Sequence, residues 1–552
     1  MKAQGLAFAQ IPHSTRIFLD YLDYAPSVRE MFPRSPKFSA WVKDESQRVV
    51  YDAARRGKVS EILERQNRGW GASAKTLANI ERLRRGALAA VTGQQVGLFG
   101  GPLFSIFKAL TAVKLAEQAT AAGVDCVPVF WLATEDHDLA EVNHVALLSE
   151  HGFPERFAVE SHAMQSHSAD APVGTVKFGP EISSVVERAA ALLGDSEAAT
   201  WLREAYRPGE TLGSAFALLF ARMFAEWGVI LLDPSGKDFH DLAKPLFRAA
   251  IERASEIDEA LLGRGKALEA AGYHQQVKVT SASTLLFEIK DGARTAVRRR
   301  NNGNNGGVIG KSGDGEFAVS EERISAKELL DRIEEAPEKF SPNALFRPVV
   351  QDFLLPTLVY TGGAAEVAYF AQAAVVYEKL LGRVTPILTR FSATLLEAKP
   401  ERILTRYKLG LPDVFLGPEK VREAIAARSL PPDLQARFSE AYAGAEQSMA
   451  AVRESIGKLD STLIAAADRV RMSLWKQINR LHGRASRAEL LRNEVITRHA
   501  DALSHALFPH KALQEREVAG VSFVARYGPQ LLTYLYRQID LDSHEHQVIA
   551  VQ

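Results

Sequence analysis

The sequence predicts an α/β protein whose core is a doubly wound parallel sheet, joined to a long helical coiled coil. Two patterns carry this prediction. From Ala87 onward, short apolar runs alternate with longer helix-like segments, as in parallel strands joined by crossover helices. Between Pro431 and Phe508, apolar residues recur at steps of three and four, the spacing of a coiled-coil seam. The length of 552 residues allows two or three domains.

The core is predicted to span residues 87–400, after an N-terminal helical segment of residues 1–86. Five apolar runs are the candidate strands of its sheet: Ala87–Val91, Val124–Ala133, Val229–Pro234, Thr357–Gly363 and Val384–Arg390. Two stretches, at about residues 145–210 and 270–345, interrupt the alternation of strands and helices. We predict that both are insertions into the sheet, the second being a β meander followed by a helix that Ser325 caps.

The C-terminal third is predicted to contain three parts. Residues 401–430 form a connector, residues 431–508 form the coiled coil, and residues 509–552 return to the core. Gly457–Thr462 is a natural break, because Gly457 weakens the helix and Asp460 or Ser461 can cap the next one. We therefore predict an antiparallel helical hairpin. Such an arm commonly forms a dimer interface, and the alternative is an arm that packs only on its own body.

Composition excludes several classes of function. Lys+Arg and Asp+Glu both number 67, so the formal net charge is zero, which argues against a general nucleic-acid or anionic-membrane binder. The single cysteine, Cys126, rules out an intramolecular disulfide and predicts a reducing cytoplasm; its place within a strand favours a buried thiol over a nucleophile. We expect no signal peptide and no membrane span.

The first stretch with chemical potential is VTGQQVGLFGGPLFSIFKAL, from Val91 to Leu110. It joins a buried strand to a buried helix, and helix N-termini bind anions through unpaired N–H groups. A buried lysine, here Lys108, needs an acid or a phosphate as partner. The pattern leaves phosphate binding and a tight packing turn equally open. The later GGVIGKSG, Gly306–Gly313, resembles a P-loop but has Asn305 where the first glycine belongs, which favours a plain loop.

The second stretch is FWLATEDHDLAEVNH, from Phe130 to His144. Its four consecutive ionisable groups, Glu135 to Asp138, follow the predicted second strand, and ligands of open α/β sheets bind at that edge. Such groups perturb one another's pKa values, as catalytic residues do. One alternative is a solvated turn in which Asp136 or Asp138 caps a helix. Another is a metal site built from His137, Asp138 and His144.

The third stretch is LFRPVVQDFLLPTLVYTGGAAEVAYFAQ, from Leu345 to Gln372. Gly362 and Gly363 again follow a strand and open a helix, so the architecture of the first stretch is repeated. Glu366 lies in the first turn of that helix, where it suits the helix dipole or could hold a substrate ammonium group. Arg347, Gln351 and Asp352 are either satisfied structural groups or ligand contacts.

Taken together, these segments resemble the family of cysteine-adding enzymes of bacillithiol biosynthesis, BshC. The resemblance also includes GVILLDP (Gly228–Pro234), GYHQQVKV (Gly272–Val279) and LFPHKALQEREV (Leu507–Val518), and it covers nearly the whole chain. It implies a Rossmann-like core similar to class I aminoacyl-tRNA synthetases and nucleotidylyltransferases, with two connecting insertions and a coiled coil that forms a homodimer.

The resemblance also implies an activity. The family is assigned the last step of bacillithiol synthesis, in which the carboxyl group of cysteine is joined to the amine of glucosaminyl-malate. Amide formation in water requires activation, and the synthetase-like core implies ATP, with ADP or AMP as product. No metal ion is predicted. The chain lacks the two signature motifs of class I synthetases, and Gly100–Pro102 stands in the place of the first.

Roles follow from the resemblance by position. The expected nucleotide or phosphate loop comprises Gly93, Gln94, Gln95, Gly97, Gly100, Gly101 and Lys108. The expected catalytic residues are Asp136, His137 and Asp138, with His137 as general base because histidine titrates nearest neutrality. The cysteine ammonium would contact Asp136, Asp138 or Glu366. The expected substrate-binding residues are Glu135, Asn143, Arg347, Gln351, Asp352, Gly362, Gly363, Glu366 and Gln372.

Three other functions fit the same patterns. One is a nucleotidylyltransferase-like ligase that acts on another amino acid or amino-sugar. Another is a metal-dependent hydrolase centred on the Asp-His-Asp stretch. The last is a non-catalytic scaffold that uses the coiled-coil arm.

Overall fold

A computed structural model of the chain describes residues 4–160, 164–165, 171–290, 292–300 and 316–552. Both predicted insertions are therefore described in part, and the P-loop-like segment Gly306–Gly313 lies outside the described residues. Among the described residues, no helix combines the length and the apolar character needed to cross a membrane.

The N-terminal segment is helical, as predicted, apart from one strand. Its elements are β1 (Gln4–Ala7), α1 (Arg16–Leu22), α2 (Val42–Arg48), α3 (Ala53–Gly69) and α4 (Ala74–Arg85). Asp52 and Ser73 cap α3 and α4 by accepting hydrogen bonds from backbone N–H groups of their first turns. The strand β1 was not predicted, because its partner lies at the other end of the chain.

The next part of the chain contains three strands of the central sheet and the first insertion. The elements are β2 (Leu88–Gln94), α5 (Phe104–Ala121), β3 (Cys126–Leu132), α6 (Leu139–Val142), β4 (His144–Leu148), β5 (Pro154–Ala158), β6 (Met164–Gln165), β7 (Lys177–Phe178), α7 (Ile182–Leu193), α8 (Glu197–Ala205), α9 (Leu212–Met223) and β8 (Ile230–Leu232). Cys126 is buried, and burial raises the pKa of its thiol to about 12, so it is a packed side chain as predicted.

The second insertion and the end of the central sheet follow. The elements are α10 (Lys237–Glu252), α11 (Ala254–Ala270), β9 (Ser283–Lys290), β10 (Ala293–Arg300), β11 (Glu316–Val319), β12 (Glu322–Ser325), α12 (Ala326–Glu335), β13 (Phe340–Pro342), α13 (Arg347–Leu354), β14 (Thr357–Gly362), α14 (Ala364–Leu381) and β15 (Ile387–Thr389). Strands β9 to β13 form the predicted meander, and Ser325 caps α12 as predicted.

The central sheet confirms the predicted fold class. Its strand order is β15-β14-β2-β3-β8, and every described pairing in it is parallel. These are the five strands that the sequence predicts. The chain moves from β2 through β3 to β8 on one side and later places β14 on the other side of β2. The gap between β2 and β14 is therefore the topological switch point, where ligands bind in this class of sheet.

The C-terminal part begins with β16 (Ala393–Glu397) and ends in the same small sheet. Between these points lie α15 (Ala398–Tyr407), α16 (Leu411–Val414), α17 (Pro418–Arg428), α18 (Pro432–Leu459), α19 (Ile464–Arg492), α20 (Glu494–Leu507), α21 (Gln514–Glu517), α22 (Gly520–Tyr527), α23 (Gln530–Gln538) and β17 (Glu545–Val551). Strand β17 pairs with both β16 and β1, so the two ends of the chain share one sheet.

Helices α18 and α19 form the predicted antiparallel hairpin. Side-chain contacts join Tyr442 to Asn479 and Arg453 to Asp468, so the residue number rises on one helix as it falls on the other. The hairpin ends at Arg492 rather than Phe508, which corrects the predicted extent of the coiled coil. Asn493 breaks the helix and caps α20, and α20 instead buries apolar residues against α15, α16 and α17.

Candidate active site

One large cavity opens at the switch point of the central sheet. Its volume is about 960 Å³, within the range of small-molecule sites. The floor is formed by residues that follow β2, β3 and β14 at their carboxyl ends. The roof is formed by the meander strands β9, β10 and β13 and by Val277–Thr280. The second insertion therefore closes the cavity over the edge of the sheet.

The cavity brings together about half of the predicted site residues. It is lined by Gly93, Gln94, Gln95, Lys108, Glu135, Asp136, His137, Arg347, Gly363 and Glu366. The other predicted site residues do not line it; these are Gly97, Gly100, Gly101, Asp138, Asn143, Gln351, Asp352, Gly362 and Gln372. All three stretches singled out in the sequence thus contribute to one site.

The glycines at positions 97 to 101 form a packing turn, which corrects their expected role as a phosphate loop. A Cβ on Gly100 would lie 3.0 Å from Leu219 Cδ2, and the Gly100 N–H donates to the Tyr206 hydroxyl. A Cβ on Gly97 would lie 3.0 Å from Gly101 Cα. The first amides beside α5 are also engaged, since the Leu103 N–H donates to the Val518 carbonyl. The N–H groups of all three glycines are thus engaged within the protein, and none of the three lines the cavity.

Lys108 and Glu366 form a buried ion pair with 2.5 Å between Nζ and Oε2. Lys108 also donates to the Gly93 carbonyl and to Gln94 Oε1, and Glu366 accepts from the Tyr360 hydroxyl and the Gly363 N–H. Burial lowers the pKa of Lys108 to about 8, although Glu366 opposes this shift. Burial alone would raise the pKa of Glu366, but Lys108 and the hydrogen bonds outweigh it and lower it. The two groups satisfy each other, so neither is free for a phosphate or an ammonium group.

Arg347 is a cation of the cavity wall that forms hydrogen bonds only to uncharged groups. Its guanidinium donates to Gln351 Oε1 at 3.1 Å and to the Tyr369 hydroxyl at 3.1 Å, with the Tyr360 hydroxyl at 3.4 Å. It forms no ion pair with any described residue. A guanidinium that donates only to neutral acceptors is suited to an anionic ligand group, because no carboxylate contacts it directly.

Gln351 and Asp352 are buried supports of this corner rather than cavity residues. Gln351 accepts from Arg347 and donates to Asp352 Oδ1. Asp352 in turn accepts from the Tyr377 hydroxyl of α14. Gln372 also has a structural role, because its amide bonds both the N–H and the carbonyl of Val277 and so fixes part of the roof.

The acidic stretch after β3 divides into two pairs of contacts. Glu135 Oε1 lies 2.8 Å from Nε2 of the buried His240, whose Nδ1 faces the Gly236 carbonyl. Burial alone would lower the pKa of His240, but Glu135 outweighs this effect and raises it. Asp136 accepts from Gln95 Nε2 and from the His137 N–H, both at 2.8 Å. Glu135 and Asp136 are therefore held in fixed positions at the cavity wall.

His137 contacts a residue that the sequence did not single out, Arg294 of β10. Arg294 Nη1 lies 3.2 Å from His137 Nδ1, while the rest of its guanidinium donates to Ser341 Oγ and the Pro342 carbonyl. Because a guanidinium can only donate, the neutral imidazole carries its proton on Nε2. The Arg294 contact thus favours His137 as a hydrogen-bond donor from Nε2, while its expected role as general base stays a prediction.

Asp138, Asn143 and His144 have structural roles. Asp138 Oδ1 accepts from the Glu141 N–H and caps α6, which is the capping alternative considered above. Asn143 donates to the Val159 carbonyl and contacts His144 Nδ1. In the described part of the chain, no three His, Cys, Asp or Glu side chains meet in a metal-binding group. Nothing in the structure therefore favours the metal site considered from the sequence.

Two further arginines reach the cavity from distant parts of the chain. Arg390 follows β15 and is paired with the buried Glu515 of α21 at 2.7 Å. Arg516 lies next to Glu515 and forms no side-chain hydrogen bond or ion pair with any described residue, so it is available to a ligand. Both lie in segments recognised in the sequence, but no local pattern showed that they border the same cavity.

Comparisons with known proteins agree with this architecture. Residues 1–391 match the model of the bacillithiol biosynthesis BshC N-terminal Rossmann-like domain, and residues 393–551 match that of the BshC C-terminal coiled-coil domain. The chain belongs to the BshC family. The BshC coiled-coil match includes Glu515 and Arg516, so both family domains contribute to the cavity.

Several BshC relatives match along nearly their whole length, and each is described as "Putative cysteine ligase BshC". The protein of Koribacter versatilis is 46% identical over 546 residues, which is 99% of both chains. That of Solibacter usitatus is 34% identical over 98% of both chains. That of Salinibacter ruber is 32% identical over 97% of this chain and 96% of its own.

Proposed function

We propose that the protein is the ligase that joins the carboxyl group of cysteine to the amine of glucosaminyl-malate, the last step of bacillithiol biosynthesis. Membership of the BshC family supports this reaction class. The observation that carries the proposal is the cavity itself, in which the cation Arg347 and the carboxylate Asp136 line one space. Both substrates carry carboxylate and amine groups. Arg347 can bind the carboxylates, and Asp136 can bind the amines.

The contacts assign a role to each free group. Arg347 binds a substrate carboxylate through charge-assisted hydrogen bonds. Asp136 holds the attacking amine and accepts its proton, because Asp138 does not line the cavity and Glu366 is paired with Lys108. His137 donates from Nε2 to the carbonyl oxygen of cysteine, which becomes negative as the amine adds. Preorganised donors of this kind supply a large share of the rate of acyl transfer.

Activation of the carboxyl group requires an energy source, and we propose ATP, which would supply a phosphate or nucleotidyl leaving group. The residues fit a phosphate at Arg516, whose guanidinium group forms no ion pair with any described residue, and this leaves Arg347 for the substrate carboxylate. They do not fit one at Gly97–Gly101, because none of these residues lines the cavity. The proposed nucleotide contacts therefore lie on the cationic side of the cavity, away from the turn that the family resemblance implied.

The test is to incubate the purified protein with glucosaminyl-malate, cysteine and ATP and to measure the thiol product and the nucleotide product by mass spectrometry. The same assay with other amino acids and amino-sugars tests the alternative substrates. His137→Ala should reduce turnover about 100- to 1,000-fold, the effect of removing one oxyanion donor. His137→Asn, which keeps an N–H donor, should retain more activity than His137→Ala.

The matched control is His144→Ala, which removes a histidine near the site that does not line the cavity. Its turnover should match the wild type. Absence of both products from the wild type would contradict the proposed function. Turnover of His137→Ala equal to that of the wild type would contradict only the role of His137.

We also propose that the hairpin forms a homodimer and that the enzyme acts in the cytoplasm. Much of the predicted apolar seam is exposed in the single chain: Val452, Leu459, Leu463, Val470, Leu474 and Leu481. A second copy would cover these side chains. Sedimentation velocity of the wild type should give a dimer, and Leu459→Glu with Leu481→Glu should give a monomer. The buried, unpaired Cys126 agrees with a reducing compartment.

A further inference from the structure

The cavity extends beneath the meander, away from the charged groups at the sheet edge, to Asp258 of α11. Asp258 lines this part of the cavity together with Leu261, Val277 and Val297. The roles proposed above involve none of these residues. This end of the cavity therefore has a carboxylate in mostly apolar surroundings.

Asp258 is an unsatisfied buried group. Its side chain is only 5% exposed, and it forms no hydrogen bond with any described residue. Its one charged partner is Arg299, with 3.6 Å between Oδ2 and Nε, and both of these atoms lack a hydrogen-bond partner. Burial raises the pKa of Asp258 to about 7, and Arg299 opposes this shift only in part. Buried polar atoms are nearly always hydrogen-bonded, so a partner from outside the chain is the natural complement here.

A second pair shows that the orphaned atom alone is not enough to define a site. Glu288 Oε2 also lacks a hydrogen-bond partner and lies 3.6 Å from an arginine, Arg332. Burial raises the pKa of Glu288 too. Glu288 does not line the cavity, so no ligand there can reach it. Asp258 differs because it lines the cavity: its Oδ2 is fully buried and faces Arg299, whereas its Oδ1 forms no hydrogen bond with any described residue and is the oxygen that a ligand can reach.

The surroundings of Asp258 indicate which kind of ligand group would donate a hydrogen bond to its carboxylate. Arg299 already places one positive charge beside the carboxylate, so the site does not require a second cation such as an ammonium group. A neutral hydroxyl group can donate a hydrogen bond to the carboxylate without adding a second positive charge. Thr280, Ser283 and Thr284 line the same end of the cavity and add further hydroxyl groups. Polar groups scattered among apolar side chains are suited to a hydroxylated ring.

We propose that Asp258 accepts a hydrogen bond from a ring hydroxyl of the sugar half of the substrate and so selects for that sugar. This rests on the proposed function, because glucosaminyl-malate is the ligand that brings such hydroxyls. The sugar then lies under the meander, and the reacting groups lie at the sheet edge.

The experiment measures binding of glucosaminyl-malate by titration calorimetry to the wild type, Asp258→Asn and Asp258→Ser. Each of these variants should bind about 10- to 100-fold more weakly, the range for a hydrogen bond to a charged group. Analogues of glucosaminyl-malate that each lack one ring hydroxyl are also measured. One of them should bind the wild type more weakly than glucosaminyl-malate does, by the same factor, and should bind Asp258→Asn as tightly as glucosaminyl-malate does. Glu288→Gln, the matched control, should bind like the wild type.

The outcomes separate the two proposals. A wild type that does not bind glucosaminyl-malate contradicts the proposed function and the sugar contact with it. A wild type that binds, together with folded Asp258 variants of unchanged affinity, overturns the assignment of Asp258 alone. Equal weakening by Glu288→Gln would also overturn it, because the loss would then reflect any buried acid. Melting temperatures of all variants establish that they are folded.

Discussion

Two buried pairs of opposite charge border the same cavity, and they differ in how fully their hydrogen bonds are made. Lys108 and Glu366 are in contact at 2.5 Å and share further bonds with backbone and side chains. Asp258 and Arg299 are 3.6 Å apart, and the facing atoms have no other partner. A completed pair holds the fold in place, whereas an incomplete one leaves an acceptor for a ligand. Charge at a cavity wall is therefore not by itself a sign of ligand binding.

The largest expected loss of stability follows from breaking the completed pair, Lys108 and Glu366. Lys108→Met leaves Glu366 buried without its cation, and breaking a buried pair in this way costs about 3–5 kcal/mol of the free energy of unfolding. The double variant with Glu366→Gln should recover part of that loss, because no lone charge remains. Denaturation by urea, followed by circular dichroism, measures both variants.

The matched variant on the incomplete pair is Arg299→Met. Because Asp258 already has a pKa of about 7, it can take up a proton at little cost once the arginine is removed. We expect a loss of about 1 kcal/mol, roughly the cost of shifting a pKa by one further unit. Equal losses in Lys108→Met and Arg299→Met would contradict the contrast between the two pairs.

The turn that positions Glu366 allows a finer test. A Cβ on Gly362 would lie 2.7 Å from Glu366 Cβ, whereas a Cβ on Gly363 would meet its nearest atom, Arg390 Nε, at 3.5 Å. Gly362→Ala should therefore displace Glu366 and cost about 1–3 kcal/mol, as overpacking does. Gly363→Ala keeps the N–H that Glu366 accepts and should change stability by less than about 0.5 kcal/mol. The same urea denaturation checks both, and a loss in Gly363→Ala as large as in Gly362→Ala would refute the argument.

The sequence predicts the fold well because the central strands are local and strongly apolar. All five predicted strands form the sheet in which β2 and β14 meet, and the meander and the hairpin are also present. What the sequence misses depends on distant partners. Strand β1 is invisible without β17, and the coiled coil ends early because α20 finds apolar partners in α15–α17.

One rule made part of the site predictable from the sequence: residues that follow the carboxyl ends of the sheet strands lie at the ligand-binding edge. That rule places Gly93, Glu135, Asp136 and His137 in the cavity. It cannot show what each side chain contacts. Lys108 has an acidic partner, one of the two that the sequence allowed, while the glycine turn faces the core because Leu219 and Phe220 fill the space beside Gly100. Arg294 and Asp258 carry no local signal, since only the closed meander brings them to the cavity.

An effect about as small as that of Arg299→Met is expected in the pH dependence of the incomplete pair. Asp258 has a pKa of about 7 in the folded protein against an ordinary value near 3.8, so between these values the folded state binds the extra proton. Its contribution to stability is therefore present at low pH and is lost as the pH rises through 7. Asp258→Asn removes this group, so the stability of the variant relative to the wild type should rise by about 1 kcal/mol between pH 6 and 7. Urea denaturation of both proteins at the two pH values measures the difference. A difference that does not change with pH would mean that Asp258 is fully ionised, and the two pairs would then be electrostatically alike.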